Sequence, residues 1–338
     1  MKKRCLTALL ALLLVLLLCA CGRSEAEVVT QSATPAPEGT ETEAPETQEP
    51  FVVGSLDEGE TGTEAQPSEE TPVPTPALSP VTLRDDDVLT DTELVRVRNY
   101  IPDLRIDLKY ASTDNYTGNV VYTFDEPYLR YGTVKKLAAA QAQLKERGYE
   151  LVLWDAFRPT EAQYVLYDAF PNSAYVANPY GGGHSSHTNG GTVDVGLMKD
   201  GALVALPSGF DEFSALGDRN YSDVSQEAAA NAGLLEDVMV ANDFTGYYGE
   251  WWHFSDNEGY NYTDVETAVL PEKATNIFAA ECNEYINIRR MPNAESEAIG
   301  SVPNGEQMTV LGYVSDFLHI RYGEQIGYVN AHYTVAVN

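Results

Sequence analysis

The sequence predicts an α+β domain followed by a small all-β barrel, both set behind a leading segment without a fold of its own. Three observations carry this reading. Residues 83–272 mix short runs of alternating apolar and polar residues, the mark of half-buried strands, with stretches of helical spacing. From about residue 275, short strand-like runs succeed one another with only turns between them, the spacing of a small barrel. Residues 22–80 hold thirteen Asp/Glu against the single Arg23, together with nine of the eighteen prolines. Such a stretch has too little apolar surface to offset its ordering entropy.

At the N-terminus, Lys2, Lys3 and Arg4 precede an apolar run over 6–19 that is short for a membrane span. The run ends in Leu18-Cys19-Ala20-Cys21-Gly22, which resembles a bacterial lipobox. The expectation is a signal peptide over 1–20, lipid on Cys21, and an extracytoplasmic lipoprotein held to the membrane by its anchor. Ordinary secretion is the alternative. The acidic Pro/Thr/Glu-rich linker over 21–82 is then either a spacer or a tail of no selected length. Cys5 and Cys19 would leave with the signal, so Cys282 alone remains, without an internal disulfide, and reads as a small buried hydrophobe. A formal charge of −30 and a pI near 4.3 argue against nucleic acid as a partner.

Within residues 83–272, Leu94-Val-Arg-Val97 and Leu104-Arg-Ile-Asp-Leu108 alternate as strands, and Asp114-Asn-Tyr-Thr-Gly118 is turn chemistry. Residues 133–147 repeat Val134, Leu137, Ala138 and Leu144 at helical spacing, with Gly148 at the C-cap. Glu150-Leu-Val-Leu-Trp154 is a buried strand that runs into Asp155-Ala-Phe-Arg158-Pro159, and 161–170 is helical. Arg158, at this junction, either projects into a cleft to hold a carboxylate or an oxyanion, or pairs with Asp155 at the surface. Thr192-Val-Asp-Val-Gly-Leu-Met198 alternates so that Thr192 and Asp194 share a face, and 201–206 pairs back on it across Lys199-Asp200-Gly201. Residues 225–244 form the strongest helix, and Tyr247-Tyr-Gly-Glu-Trp-Trp-His-Phe254 reads as an aromatic strand.

Two imidazoles and a carboxylate, His187, Asp194 and His253, can close three corners of a zinc tetrahedron and leave the fourth to water, as catalytic zinc requires. A carboxylate on the inward face of a strand needs a partner, and a metal is one. The pair Gly190-Gly191 lets the chain turn back so that His187 meets Asp194. Glu250, three residues before His253, can take a proton from the water. In a continuous strand Glu250 and His253 face opposite ways, so both reach one metal only if the strand ends or bulges there. Alone, that segment also fits a buried Glu–His pair.

Together these pieces resemble the VanX-type D-alanyl-D-alanine dipeptidases, zinc peptidases of the group that includes the D-Ala-D-Ala carboxypeptidases. The resemblance is carried by Asp107-Leu-Lys-Tyr110-Ala, Asp114-Asn-Tyr-Thr-Gly118, Leu153-Trp-Asp-Ala-Phe-Arg158-Pro159, Ser185-Ser-His187-x-x-Gly190-x-x-x-Asp194, Gly209-Phe-Asp211-Glu-Phe213 and Glu250-Trp-Trp-His253, in that order. It implies the zinc D-Ala-D-Ala peptidase fold, a mainly antiparallel sheet with flanking helices, over 83–272. It further implies one zinc ion per chain on His187, Asp194 and His253, Glu250 as general base and acid, and Arg158 on the oxyanion. Ser185 and Asp211 match positions that bind the dipeptide's ammonium, and Tyr110 a tyrosine lining the site. His184 has no ligand role in the pattern, and Thr192 stands where the family has a smaller residue.

Residues 273–338 resemble bacterial SH3-like domains at Asn287-Ile-Arg289, Gly300, Gly305 and Gly327-Tyr-Val329. That resemblance implies binding to cell-wall peptidoglycan; a purely structural appendage is the alternative. His319 and His332 read as surface or packing residues. The substrate implied is the D-Ala-D-Ala dipeptide. A D,D-carboxypeptidase acting on peptidoglycan stem peptides and a non-catalytic wall-binding lipoprotein are the competing readings.

Overall fold

The computed structural model describes residues 84, 86–262 and 269–338; the expected signal peptide, the Cys21 lipidation site and the acidic linker lie outside them. In chain order, β1 (Leu94–Arg96), β2 (Arg105–Ile106) and β3 (Tyr128–Arg130) lead into α1 (Tyr131–Lys145). There follow β4 (Glu150–Asp155), α2 (Thr160–Ala169), β5 (Thr192–Lys199), β6 (Ala202–Leu203), α3 (Gln226–Ala241), β7 (Phe244–Gly246) and β8 (His253–Asp256). One sheet runs β2-β4-β5-β8-β7, with β6 on β5. Only β2 and β4 are parallel, so the sheet is mainly antiparallel, as the resemblance implied.

β4 and β5 are buried along most of their length, which is why they read as apolar runs. Leu137 and Leu144 of α1 and Leu235 and Val238 of α3 join Leu151, Val193 and Val195 of these strands in one core. Gly196 is required in β5 because a Cβ there would lie 2.3 Å from the Trp154 ring. Gly148, at φ +77°, takes the left-handed conformation just past α1. Ser225 caps α3, its Oγ accepting from Ala228 N at 3.1 Å.

Three expected elements differ. The strand over 104–108 shrinks to β2, because the chain enters a 3-10 turn, Lys109–Ala111, that buries Tyr110. The helix over 225–244 stops at Ala241, since Asp243 turns at φ +66° and Phe244 enters β7. The aromatic strand over 247–254 is instead a turn followed by the start of β8 at His253. Trp251 and Trp252 are both buried rather than split across a sheet. Trp251 is pinned by its N–H to Gly217 O at 2.8 Å and its indole N–H to Ser208 Oγ at 3.0 Å.

The C-terminal strands are β9 (Ile277–Ala280), β10 (Tyr285–Arg289), β11 (Ala298–Pro303), β12 (Gln307–Val314), β13 (Phe317–Tyr322), β14 (Gln325–Asn330) and β15 (Thr334–Ala336). Their antiparallel sheet runs β11-β10-β14-β13-β12 and then continues into β1 and β3, with β9 joining β12 to β15. Leu94 of β1 pairs with Tyr313 of β12, so strands from the start of the catalytic region extend the barrel's sheet. At this seam His319 is buried, not exposed, and meets Glu93. Cys282 is half-buried rather than part of the core.

Candidate active site

Register builds the site. Asp155 of β4 lies opposite Asp194 of β5, and Asp194 lies opposite His253 of β8, so three neighbouring strands present a row of polar groups at one place. His187 arrives from a 3-10 turn, Ser186–Asn189, capped at its start by Ser185 Oγ, which accepts from His187 N at 3.3 Å. Gly190, at φ +76°, closes that turn. Of the expected Gly190-Gly191 pair, Gly190 alone takes the left-handed conformation as the chain turns from His187 toward Asp194.

The three candidate ligands converge. His187 Nε2 lies 3.3 Å from His253 Nδ1 and 3.3 Å from Asp194 Oδ2, and His253 Nδ1 lies 3.0 Å from Asp194 Oδ1. The edges of a tetrahedron with metal–ligand bonds of about 2.0–2.1 Å are roughly 3.3–3.4 Å. Proton placement agrees. His187 Nδ1 donates to Ala156 O at 2.8 Å, which leaves Nε2 with a bare lone pair. The His253 tautomer that donates Nε2–H to Ser186 Oγ, 3.1 Å away, turns the Nδ1 lone pair to the same point. Asp194 Oδ1 is buried without a hydrogen-bond partner. Burial works to raise the Asp194 pKa, but where the His187 and His253 rings carry the extra proton their charge and N–H donors outweigh it and hold the carboxyl well below the usual carboxylate range, whereas with both rings neutral nothing offsets their lone pairs. Three acceptors facing one point repel one another unless a cation lies between them, so the residues fit a divalent metal.

Glu250 lies 3.5 Å from His253 Nδ1, made possible because β8 begins only at His253. Burial pushes its pKa up to about 7, with His253 opposing the shift and the Asp194 and Asp211 carboxylates adding to it. A carboxyl so placed is matched to proton transfer near neutral pH.

Arg158 faces a cleft, as the first of its sequence readings expected, and its pair with Asp155 is buried rather than at the surface. It is buried, lines the cavity, and is paired with Asp155, whose Oδ2 accepts from Nη2 at 2.7 Å and Nε at 3.1 Å. Nη1 donates to Gln163 Oε1 at 3.0 Å and to Ser185 Oγ at 3.4 Å. Asp211 sits in the left-handed region at φ +56° and accepts from Tyr110 Oη at 2.7 Å. Burial pushes the Asp211 carboxyl up to about 8, with the Tyr110 hydrogen bond opposing and Asp194 adding. All eight residues singled out in the described region, Tyr110, Arg158, Ser185, His187, Asp194, Asp211, Glu250 and His253, line one cavity of about 270 Å³. His184 lines it too, tilted against the Tyr262 ring at 4.5 Å rather than among the candidate ligands.

Four supporting residues were given no place in the site by sequence reasoning, Asp155 having entered only as a surface partner for Arg158. Asp155, fully buried, also accepts from Tyr122 Oη at 2.5 Å and Ala156 N at 2.9 Å, and its Oδ2 lies 3.5 Å from His187 Nδ1. Tyr122, Gln163 and Ser186 orient Asp155, Arg158 and His253 respectively. The carboxylate three residues before Arg158 was visible as a partner for it. Its place beside His187 depends on strand register, which no local pattern carries.

A family model described as D-ala-D-ala dipeptidase matches residues 90–269, and one described as bacterial SH3 domain matches 284–335. The D-alanyl-D-alanine dipeptidase of Escherichia coli K12 is 34% identical over 172 residues, 51% of this chain and 88% of that protein. Those of Streptomyces coelicolor and Enterococcus faecalis V583 are 31% and 28% identical, over 47% and 45% of this chain and 89% and 85% of theirs. A solved LdcB LD-carboxypeptidase aligns at 20% identity over 50% of this chain and 70% of that one, with a TM-score of 0.31. The order of the matching segments and the convergence of their side chains agree with the family match: the chain belongs to the D-Ala-D-Ala dipeptidase family of metallopeptidases, joined to a bacterial SH3 domain.

Proposed function

We propose that this protein is a zinc-dependent D-alanyl-D-alanine dipeptidase, one zinc per chain, with His187, Asp194 and His253 as ligands. The observation that carries the proposal is the convergence of two imidazole nitrogens and a carboxylate, 3.0–3.3 Å apart, beside Glu250. A zinc ion held there supplies a Lewis acid that polarises the scissile carbonyl and acidifies water. Glu250 takes the proton of the attacking water on a carboxylate oxygen and passes it to the leaving nitrogen. Arg158, fixed by Asp155 and Gln163, offers N–H donors to the developing oxyanion. Asp211, with Tyr110 behind it and Ser185 nearby, receives the ammonium of the substrate, whose positive charge draws the carboxyl, protonated up to about pH 8 in the free chain, into its ionised form. A free ammonium at that end favours the dipeptide over an acylated stem peptide.

The N-terminal pattern supports export, lipidation of Cys21 and an extracytoplasmic, membrane-anchored protein. In that reading residues 1–20 are the signal, 21–82 a linker, 83–272 the catalytic part and 273–338 the wall-binding part. A groove beside Tyr285, Asn287, Arg289 and Tyr333 is the candidate surface for peptidoglycan. Among the described residues no helix is long and apolar enough to cross a membrane.

The deciding experiment is release of D-alanine from D-Ala-D-Ala, abolished by a chelator and restored by zinc. Equal release from an N-acylated stem-peptide analogue would move the assignment to a D,D-carboxypeptidase, and no release from either would refute a peptidase. Labelled fatty acid incorporated by the wild type and lost in Cys21→Ala tests the anchor.

A further inference from the structure

An arginine carries five N–H donors in a rigid fork, enough to hold several chain segments at once. Arg130, the last residue of β3, is buried and does so. Its backbone N–H donates to Gly190 O at 2.8 Å and its Nε to Asn189 O at 2.8 Å, both at the end of the turn that carries His187. Nη1 donates to Thr92 O, in the lead into β1, and Nη2 lies 3.5 Å from Asn261 O, a few residues past the strand that begins with His253. Gly190 packs directly on this ribbon: a Cβ there would lie 2.9 Å from Leu94 Cδ1 and 3.3 Å from Arg130 Cγ. The ribbon is in turn fastened to the barrel, because Leu94 pairs with Tyr313.

We propose that Arg130 is a positioning residue of the metal centre, its guanidinium holding the His187 turn in register with the strand that carries His253. The proposal rests on the metal reading above. Without the guanidinium, the Asn189 carbonyl loses its anchor and the turn can withdraw from β3, carrying His187 Nε2 away from Asp194 and His253. A lysine, with one compact ammonium, cannot reach three carbonyls in three directions. Outer residues that fix metal-binding histidines typically change metal affinity or activity by about 10–100-fold.

The test measures the zinc dissociation constant of the full chain by competition with a chromogenic chelator. Arg130→Met and Arg130→Lys are compared with wild type, with thermal midpoint and circular dichroism as folding controls. In folded Arg130→Met the dissociation constant is expected to rise about 10–100-fold. At saturating zinc, kcat is expected to fall while KM for the dipeptide moves less than about threefold, since the carbonyls that Arg130 holds belong to Thr92, Asn189 and Asn261 and not to groups assigned to the substrate. Arg130→Lys should recover the thermal midpoint better than the zinc affinity, a split that a merely structural role would not give. Wild-type zinc affinity in either folded variant overturns the proposal. Should neither fold, Gly190→Ala, which pushes the turn off the same ribbon, decides by the same measurement. A wild-type chain that binds no divalent metal removes the metal reading itself, whereas metal-binding variants indistinguishable from wild type remove only the role of Arg130.

Discussion

His319 Nδ1 lies 2.7 Å from Glu93 Oε2 across a seam that joins positions 226 residues apart, with both side chains almost wholly buried. Tyr328 Oη donates to the other oxygen of the same carboxylate at 3.1 Å, and its ring stacks on His319 at 4.4 Å. Deleting the imidazole takes one hydrogen bond from the buried Glu93 carboxylate, which keeps those from Tyr328 and Thr90, at a cost of about 1–3 kcal/mol. His319→Ala is therefore expected to lower the unfolding free energy by that order in denaturant titrations. Because β1 completes the barrel's sheet, barrel and catalytic part should also unfold in one transition. Two resolved transitions in the wild type would contradict the seam as a structural weld.

Glu250→Gln tests the proton shuttle apart from the metal. Glutamine keeps the shape and cannot accept the proton, so kcat should fall by roughly 10²–10⁴. Zinc affinity should stay near wild type, because the proposed ligands are His187, Asp194 and His253. His187→Ala, in contrast, should lose zinc and turnover together. Full turnover in Glu250→Gln would remove the assigned base.

How far the sequence foretold this site follows from what each residue depends on. His187, Asp194, His253 and Glu250 were legible as a set through the ordered motifs of the family resemblance, since the spacing of Glu250 and His253 alone also fitted a buried Glu–His pair. The turn over 247–252 was not, because aromatic residues favour strands and the contacts that fold it, Trp251 N to Gly217 O and the indole to Ser208, come from elsewhere in the chain. The short run Leu94-Val-Arg96 was readable as a strand, yet nothing local says that it pairs with β12 rather than with its own catalytic sheet. Glu93 and His319 were likewise unremarkable until the register of β1 and β12 brought them together. Local chemistry was therefore written in the motifs, and long-range pairing was not.

Asp211 gives the pH prediction. Burial raises its pKa in the folded, metal-free chain from 3.8 to about 8. The unfolded chain loses that proton near pH 4 while the native state keeps it, so between about pH 4 and pH 8 the native state binds more protons. The contribution of this group to stability therefore declines as pH rises through that window. Asp211→Asn, which still accepts from Tyr110, removes the decline. In chelator-treated protein its thermal midpoint relative to wild type should improve steadily from pH 5 to pH 8.5. The same substitution should raise KM for the dipeptide, because the amide cannot pair with the substrate's ammonium. A pH-independent difference in midpoint would show that Asp211 is already ionised in the native state.

Asp155 lets the oxyanion role of Arg158 be tested without touching Arg158. Its carboxylate takes two guanidinium hydrogen bonds, one from Tyr122 and one from the Ala156 N–H, all in a place closed to solvent. Asp155→Asn keeps the volume but offers one acceptor oxygen and an NH₂ that faces either the guanidinium or Tyr122. A donor against a donor turns Arg158 out of line, and its charge is left buried without a counter-ion. If Arg158 stabilises the transition state, kcat should fall about 10²–10³-fold, the loss seen when a single oxyanion donor is removed. Arg158→Lys should do no better, because a single ammonium cannot pair with Asp155 and present donors to the carbonyl at once. Metal content then separates the two functions of this carboxylate. His187 is held chiefly by the Ala156 carbonyl, 2.8 Å from its Nδ1 against 3.5 Å for Asp155, so zinc should remain bound in Asp155→Asn. Loss of zinc in step with loss of turnover would instead make Asp155 a support of the His187 ligand first and of Arg158 second.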